Sequence, residues 1–351
     1  TRLRAASAIG TMAAAVALLA ACGSSTTSSS SSGGAGSGGG GALKTGLKVF
    51  VIPKNLGNPY FTTSDSVQSG GALAALQTLN ETGTETSGTE ATPAAQIPAI
   101  QAAITKGANV LIVSATDPTA LCQTLNGAIQ QGITVVTYDS DAPGCRSLFI
   151  NQATAEAIGT SEVDVLAKQL NSTGKIAIVS ATSTATNQNT WIDFMKKQLA
   201  AKYPNMSLVA TVYGNDDPTT STQVTQGLLQ RYPDLAGIIS PTTVGIAAAA
   251  AVLDTPTYRG KVALTGLGTP NSMKQYVADG TVKSFELWNP ADLGYLAAYA
   301  GVALASSAIT NSQGQAFTAE KLGSFTVDTG QSVLLGPPFV FDSTNIANFN
   351  F

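Results

Sequence analysis

The sequence lacks histidine entirely, and this absence narrows the chemistry that the protein can perform. Histidine is the commonest general base and metal ligand among side chains, so its absence argues against many hydrolases and zinc enzymes. The lack of histidine does not exclude an enzyme that uses carboxylates or lysine. Charged residues are also scarce. They make up 11% of the 351 residues, and the net charge of −3 leaves no basic surface for nucleic acid.

The sequence also lacks the motifs of common catalytic folds. It contains no serine-centred nucleophile elbow, no cluster with metal-ligand spacing and no phosphate-binding loop. Gly266 and Gly268 begin a pattern of the dinucleotide-binding type, but Asn271 occupies the position of its third glycine. We therefore expect a protein that is not an enzyme and that needs no metal or cofactor.

What the sequence does have, in its first residues, is an export pattern. Two arginines precede an apolar run at residues 13–21, which is too short for a membrane-spanning helix and fits a signal peptide. The run ends in Leu19-Ala20-Ala21-Cys22, which resembles the bacterial lipobox. We therefore predict a lipoprotein signal peptide at residues 1–22, with Cys22 as the lipidated residue. The alternative is an ordinary signal peptide that contains a cysteine.

A flexible tether is predicted next. Residues 23–41 are nearly all Ser, Gly and Thr, a composition that buries too little apolar surface to fold. We expect a tether over residues 23–45 that holds the folded body at the outer face of the cell membrane, attached through the lipid anchor only. The alanine-rich stretch Ile246–Leu253 is flanked by prolines and is expected to be a buried helix rather than a membrane span.

From residue 46 onward, short apolar runs alternate with helical patterns. Several runs are almost wholly apolar, as expected for parallel strands covered on both faces. Helices are predicted at Ala99–Lys106, Thr119–Gln131 and Asn187–Lys202, and glycine follows the first two as a typical helix stop. The alternation predicts an α/β fold with parallel sheets. Strands are predicted at Leu47–Ile52, Val110–Val113, Ile133–Tyr138, Lys175–Val179, Leu208–Val212, Gly237–Ile239, Val262–Thr265 and Val282–Leu287.

The second strand of the first sheet is harder to place. It should lie within residues 80–93, which are polar and rich in Thr, Gly and Glu, so this segment is either a weak edge strand or a loop. Polar residues follow the C-terminal ends of the clearer strands, where doubly wound sheets bind their ligands. Examples are Lys54 after the first strand, Asp139 after Tyr138 and the segment Asn215–Asp217.

These strand-end segments resemble the periplasmic binding proteins of the ribose-binding type. In Phe50-Val51-Ile52-Pro53-Lys54-Asn55-Leu56-Gly57-Asn58-Pro59-Tyr60-Phe61, a polar residue and then an aromatic pair follow the first strand. The resemblance extends from about residue 46 to residue 351 and is closest to rhamnose-binding proteins. The other matching segments are Thr184–Asp193, Pro241–Ile246, Thr265–Pro270 and Trp288–Tyr295.

A second group, the autoinducer-2-binding proteins, is also similar. It shares the segments around Cys122 and Cys145 and the ending with Phe341, Asn345 and Phe351. The ligand contacts of that group read Lys, Asp, Asp-Gln and Pro-x-Ala. The matching residues here are Lys54, Asp139, Asn187-Gln188 and Pro241-Thr242-Thr243. Asn187 in place of Asp and Thr243 in place of Ala favour a deoxyhexose such as rhamnose, with autoinducer-2 as the alternative.

The resemblance implies two doubly wound parallel-sheet lobes joined by a three-segment hinge, which is the type I periplasmic-binding-protein fold. The hinge crossings map near Tyr138–Asp139, Trp288–Asn289 and Phe325. One lobe is then expected to comprise residues 46–139 and 289–325, and the other residues 140–288 and 326–351. The lobes would close on a small sugar, and the closed monomer would dock on the permease of an ABC transporter.

The resemblance also implies ligand-binding residues at the strand ends. Asp139 and Asp141 would accept hydrogen bonds from sugar hydroxyls, and Lys54 would donate to sugar oxygens. An aromatic side chain would pack on the C–H face of the sugar, and the methyl group of rhamnose requires one apolar wall. Each residue also has a structural alternative, as a helix cap, a solvated side chain or a core residue. The predicted set is Lys54, Asn58, Phe61, Asp139, Asp141, Asn187, Gln188, Pro241, Thr243, Trp288 and Asn289.

The body of the chain contains one pair of cysteines, Cys122 and Cys145. In a secreted setting an isolated pair usually forms a disulfide, and these two follow successive strands, so they can lie close together. We predict a disulfide between them, with two buried thiols as the alternative. The sequence has no Cys-x-x-Cys motif that would indicate a redox role.

Overall fold

A computed structural model of the protein describes residues 41–351, which build two parallel sheets with helices on their faces. The predicted signal peptide, the lipidated Cys22 and residues 23–40 of the predicted tether lie outside the described residues. The strands are β1 (Lys48–Ile52), β2 (Thr82–Glu85), β3 (Val110–Val113), β4 (Thr134–Tyr138), β5 (Leu148–Asn151), β6 (Gly174–Ser180), β7 (Met206–Tyr213), β8 (Leu235–Ser240), β9 (Ala263–Gly266), β10 (Ser284–Leu287), β11 (Ala316–Thr318), β12 (Ser324–Thr326), β13 (Ser332–Leu334) and β14 (Phe339–Asp342). The helices are α1 (Pro59–Asp65), α2 (Ala72–Thr78), α3 (Pro93–Thr105), α4 (Pro118–Gln130), α5 (Ala155–Gln169), α6 (Thr186–Lys202), α7 (Pro218–Arg231), α8 (Thr243–Leu253), α9 (Pro270–Ala278) and α10 (Pro290–Ala305).

The first sheet has six parallel strands in the order β13-β5-β4-β3-β1-β2. Alternate residues of its central strands enter two separate cores, because successive side chains of a strand point to opposite faces. Val49, Val110 and Val136 pack towards α10, whereas Phe50, Leu111 and Val135 pack towards α3 and α4. Both faces are therefore covered, which explains the continuous apolar runs in the sequence. The ambiguous segment forms β2, an edge strand beside β1.

The second sheet has four parallel strands in the order β7-β6-β8-β9. The residues Ile176–Val179 of β6 are completely buried, which requires helices on both faces of the sheet. An isolated bridge between Leu267 and Glu286 continues this sheet towards β10, which pairs with β14 in antiparallel orientation. The α/β fold with two parallel-sheet lobes is confirmed, and the predicted strands differ from the observed ones only at their ends.

The chain passes between the lobes at three places, two of which lie later than the sequence analysis placed them. The first passage follows β5 and not Asp139, because β5 still pairs with β4 through Tyr138 and Ile150. The last follows β13 and not Phe325, because β13 pairs with β5. The remaining passage joins β10 to α10 at residues 288–289. Residues 140–151 and 326–334 therefore do not belong to the second lobe, and the predicted lobe boundaries are wrong there.

Proline and a capping side chain begin many of the helices. Asn58 caps α1 by accepting a hydrogen bond from the Tyr60 amide, and proline follows it at the first helical position. The same pair of features begins α4 at Asp117 and α7 at Asp217. A side-chain cap satisfies a free backbone amide, and the fixed φ of proline suits the first turn. These caps lie in the short loops that follow β1, β3 and β7, so they fix how the chain turns at the carboxyl edges of the sheets.

The predicted disulfide is present in the structure between Cys122 on α4 and Cys145 in the loop before β5. Their Cα atoms lie 5.2 Å apart, within the range that a disulfide spans, and 23 residues separate them in sequence. Closing a loop of this length stabilises a fold by ~3 kcal/mol, chiefly by restricting the unfolded chain.

The alanine-rich stretch forms α8, an 11-residue helix with most of its residues buried. It packs on α7 and on strands β8 and β9, as expected for a core helix. Within residues 41–351, none of the helices combines the length and the apolar character needed to cross a membrane.

Candidate ligand-binding site

A cavity lies between the two lobes, at the carboxyl edges of both sheets. Its volume is small, about 30 Å³, because the two lobes contact each other directly around it. Parallel strands end at a common edge, so side chains distant in sequence converge there. Lys54 follows β1, Asp139 follows β4, and Pro241 follows β8. The lining residues are Lys54, Asn58, Tyr60, Phe61, Asp139, Asn187, Gln188, Trp191, Asp216, Pro241, Thr242, Thr243, Leu267, Leu287 and Trp288.

Asp139 is held firmly where β4 ends. Its backbone is left-handed, with φ of 59°, a conformation that is uncommon for a residue with a side chain and is often found at functional sites. Ser114 Oγ donates to Asp139 Oδ2 over 2.7 Å, and Lys54 Nζ lies 3.5 Å from the same oxygen. The Lys54 and Asp139 side chains are 5% and 7% exposed. This ion pair is thus shielded from water, which strengthens it.

Asn187, at the start of α6, joins the second lobe to this ion pair. Lys54 Nζ donates to Asn187 Oδ1 over 3.3 Å, and Asn187 Nδ2 donates to the Asp139 carbonyl over 3.4 Å. The next residue, Gln188, accepts hydrogen bonds at Oε1 from Ser180 Oγ and the Ala181 amide, over 2.7 and 2.8 Å. The lobes are therefore in contact through the same polar groups that line the cavity.

Asp216 is a lining residue that the sequence analysis named only as a strand-end polar residue. It follows β7, and both it and Asn215 have left-handed backbones. Thr242 Oγ1 donates to Asp216 Oδ1 over 2.5 Å. Burial raises the pKa of Asp216, and the positive charge of Lys54 and the Thr242 hydrogen bond act in the opposite direction. Asp216 thus adds a second buried acceptor on the side of the second lobe.

Four aromatic side chains form a continuous group along the cavity. The ring centroids of Tyr60 and Phe61 are 5.1 Å apart, those of Tyr60 and Trp288 are 6.0 Å apart, and those of Trp288 and Trp191 are 6.1 Å apart. The Trp288 indole donates to the Tyr60 hydroxyl over 2.9 Å, so the polar atom of Trp288 is already used. Burial raises the pKa of Tyr60 well above its usual value, and the negative charge of Asp139 adds to this effect.

Two predicted ligand residues do not line the cavity. Asp141 forms an ion pair with Arg146, whose guanidinium Nε and Nη2 donate to the two carboxylate oxygens over 2.9 Å. Arg146 also donates to the Gly330 and Gln331 carbonyls, so Asp141 helps to hold β13 against the first lobe. Asn289 caps α10 and donates to Asp292 Oδ2 over 2.8 Å. Asp141 and Asn289 are therefore engaged elsewhere in the fold and are not among the residues that line this cavity.

The remaining predicted residues come together at the cavity. Sequence reasoning considered Tyr60 as part of the aromatic pair after the first strand but chose Phe61 alone. It missed Trp191, which lies on a helix, and Leu267 and Leu287, whose apolar character is indistinguishable from that of core residues in the sequence. Their position could have identified them, because Leu267 and Leu287 lie at the carboxyl ends of strands, where ligands bind. The predicted residues that line the cavity are Lys54, Asn58, Phe61, Asp139, Asn187, Gln188, Pro241, Thr243 and Trp288.

Two lobes that meet over a polar and aromatic cavity define a protein that captures a small molecule. Comparison with known families identifies the class, because residues 49–308 match the periplasmic binding protein domain. The chain therefore belongs to the periplasmic binding protein family, whose members bind substrates for ABC transporters and are not enzymes.

Solved structures narrow the class to sugar-binding proteins of ABC transporters, with an extracytoplasmic location. A sugar ABC transporter protein from Actinomyces odontolyticus is 45% identical, with a TM-score of 0.69, over 87% of this chain and 98% of that chain. A solute-binding protein from Clostridium phytofermentas with bound L-rhamnose is 34% identical, with a TM-score of 0.83, over 88% and 99%. LsrB from Clostridium saccharobutylicum in complex with AI-2 is 26% identical, with a TM-score of 0.82, over 87% and 100%.

Proposed function

We propose that the protein captures a monosaccharide, rhamnose, between its lobes and delivers it to the permease of an ABC importer. The observation that carries this proposal is the cavity in which Lys54, Asp139 and Asn187 meet from both lobes beside an aromatic group. A ligand that replaces these direct contacts with its own would hold the two lobes together. Closure around the ligand is the usual switch in hinged binding proteins.

The lining residues match the hydrogen-bonding needs of a sugar. Each hydroxyl donates one hydrogen bond and accepts others, so its site needs both acceptors and donors. Asp139 and Asp216 supply acceptors, Lys54 and the side-chain nitrogen of Gln188 supply donors, and the amide side chain of Asn187 supplies both. Aromatic rings suit the C–H face of a pyranose, and Phe61 and Trp288 line the same cavity.

Rhamnose is favoured over other sugars by the relative from Clostridium phytofermentas, which binds L-rhamnose and is 34% identical over nearly the whole chain. A second candidate function is binding of autoinducer-2 for uptake or signalling. It is supported by the LsrB structure in complex with AI-2 and by Lys54, Asp139, Gln188 and Pro241, which match that group. Asn187 argues against this second candidate, because the autoinducer-2-binding proteins carry aspartate at the matching position. Asn187 Nδ2 donates to the Asp139 carbonyl, and an ionised aspartate has no proton with which to make this hydrogen bond.

Thermal unfolding of the purified protein with candidate ligands tests this function. A ligand at 100 times its Kd stabilises the folded state by ~2.7 kcal/mol, which raises the Tm of a protein of this size by several degrees. We expect such a rise with L-rhamnose and little change with D-glucose, which serves as the control. A rise with autoinducer-2 alone would support the second candidate, and no rise with any monosaccharide would contradict sugar binding.

We also propose that the protein is a monomer held at the outer face of the membrane by a lipid on Cys22, with residues 23–45 as the tether. The lipobox-like sequence and the Ser- and Gly-rich composition support this arrangement. Replacing Cys22 by serine is expected to move the protein from the membrane fraction to the soluble fraction of expressing cells. Membrane recovery equal to that of the unaltered protein would contradict lipid attachment at Cys22.

A further inference from the structure

The row of strand ends along the second lobe changes from polar to apolar. The strand order β7-β6-β8-β9, continued to β10 by the bridge of Leu267 to Glu286, arranges these ends side by side. Asp216 follows β7, Thr242 and Thr243 follow β8, and their side chains carry oxygen atoms. The two last strand ends carry Leu267 and Leu287 instead, and both leucines line the cavity.

These leucines form an apolar corner, which we define as Leu267, Leu287 and the neighbouring Trp288. Leu267 is 2% exposed and Leu287 is fully buried. The Leu267 amide donates to the Ser240 carbonyl over 3.0 Å, and the Gly268 amide donates to the Glu286 carbonyl over 3.0 Å. The Trp288 indole donates to Tyr60, so these three donors at the corner are already engaged.

The backbone beneath the apolar corner has little freedom to rearrange. A Cβ atom at Gly266 would lie 2.0 Å from the Ser240 carbonyl oxygen, so β8 and β9 approach each other as closely as glycine permits. A Cβ atom at Gly268 would lie 2.8 Å from the Met273 side chain. Close packing of this kind resists adjustment, so Leu267 cannot easily turn away to admit a polar group.

We infer that the apolar corner selects 6-deoxy sugars by accepting a methyl group where an ordinary hexose carries a hydroxymethyl group. This inference rests on the proposed function, since it concerns the same cavity. A hydroxyl group buried at the corner would lose its hydrogen bonds to water and gain none from the leucines. A methyl group at the same place gains from leaving water. Together these effects favour the deoxy sugar by roughly 10- to 100-fold.

A pair of sugars that differ only at this group gives the test. L-Rhamnose is the 6-deoxy form of L-mannose, so the ratio of their Kd values, measured by calorimetry on the whole protein, isolates the contribution of the corner. We expect the unaltered protein to bind L-rhamnose at least about tenfold more tightly than L-mannose. Similar Kd values for the two sugars would overturn the inference and leave sugar binding itself intact.

Matched variants at Leu267 test the residue directly. Leu267→Met keeps an apolar side chain of similar volume and is expected to preserve the ratio. Leu267→Asn supplies a hydrogen-bonding group and is expected to reduce the ratio by about tenfold. Leu253→Ala, at a buried leucine of α8 away from the cavity, controls for lost stability.

The two proposals fail in different ways. An unchanged ratio in a folded Leu267→Asn protein would overturn the role of the corner. If Leu267→Asn does not fold, the ratio of the two Kd values for the unaltered protein still tests whether the cavity prefers the 6-deoxy sugar. Absence of binding to either sugar would overturn the proposed function and the inference with it.

Discussion

Replacement of Asp139 by alanine is expected to weaken sugar binding by at least about 100-fold. Asp139 lies beside Lys54 and is 7% exposed on its side chain, so a bound hydroxyl would donate to its carboxylate away from water. Hydrogen bonds to a charged acceptor contribute ~1.5–3 kcal/mol each, and a carboxylate can accept from two hydroxyls. The variant also leaves the buried Lys54 without its ion-pair partner, which further disturbs the site. Calorimetric titration with L-rhamnose measures the effect.

Asp141 provides a matched control two residues away. Its carboxylate is bound to Arg146 and does not line the cavity. Asp141→Ala is therefore expected to lower the Tm while leaving the Kd for L-rhamnose within about twofold. Retention of the original Kd by a folded Asp139→Ala protein would contradict the assigned site. A large loss of affinity in Asp141→Ala would restore the residue to the ligand-binding set.

The protein is expected to become less stable as the pH rises from 5 to 7, because of a pair of buried carboxyl groups. Glu162 on α5 and Glu286 on β10 lie close enough for their charges to repel. Both oxygens of Glu162 and Oε2 of Glu286 have no hydrogen-bond partner among the described residues. Ser161 Oγ donates to Glu286 Oε1 over 2.5 Å. Two ionised carboxylates in this setting would be strongly destabilising.

The sign of the effect follows from proton binding. Burial raises the pKa of Glu286 from 4.5 to about 7; the Ser161 hydrogen bond opposes this shift, and the charge of Asp164 adds to it. Burial also raises the pKa of Glu162 well above its usual value, and the charge of Glu286 contributes. Between pH 4.5 and about pH 7, Glu286 in the folded protein holds a proton that the unfolded chain has lost. Stability therefore falls with rising pH by about 1.4 kcal/mol per unit for each such proton.

Glu286→Gln tests this account, since glutamine keeps the shape and cannot ionise. We expect the free energy of unfolding of this variant to fall less steeply with pH, with a slope smaller by the contribution of one proton. At pH 8 we expect this free energy to exceed that of the unaltered protein by ~3 kcal/mol. Urea unfolding at pH 5, 6, 7 and 8 measures both quantities. Glu90→Gln, at an exposed glutamate, is the control. A Glu286→Gln protein with the pH slope of the unaltered one would refute the assignment.

Much of the fold could be predicted because buried parallel strands leave a strong local signal. Continuous apolar runs such as Val110–Val113 indicated the core strands, and a glycine after a helical pattern indicated where a helix ends. The strands β5 and β13 gave no such signal. They are four and three residues long and are stabilised by pairing across a large separation in sequence. Missing them displaced two of the expected hinge crossings.

The residues of the candidate site also fall into those that the sequence could predict and those that it could not. Strand-end position was enough to find Lys54 and Asp139, since the carboxyl edge of a parallel sheet collects polar side chains. It could not separate Asp139 from Asp141, because the ion pair that engages Asp141 with Arg146 forms only in the folded structure. Trp191 was missed for a different reason: it lies on α6, and only tertiary packing brings its ring to within 6.1 Å of Trp288 after β10. Arrangements of this kind depend on tertiary structure and leave no local pattern.

The position of β13 and β14 near the end of the chain has a consequence for how the protein folds. The first sheet gains its outer strand β13 from Ser332–Leu334, and β10 gains its partner β14 from Phe339–Asp342. Neither lobe is contiguous, so each must wait for a distant segment before it is complete. Contacts between residues far apart in sequence slow folding, because a long loop must close before any gain from pairing. Until β13 pairs with β5, the edge of β5 is open to strands of other molecules, which exposes the unfinished first lobe to aggregation.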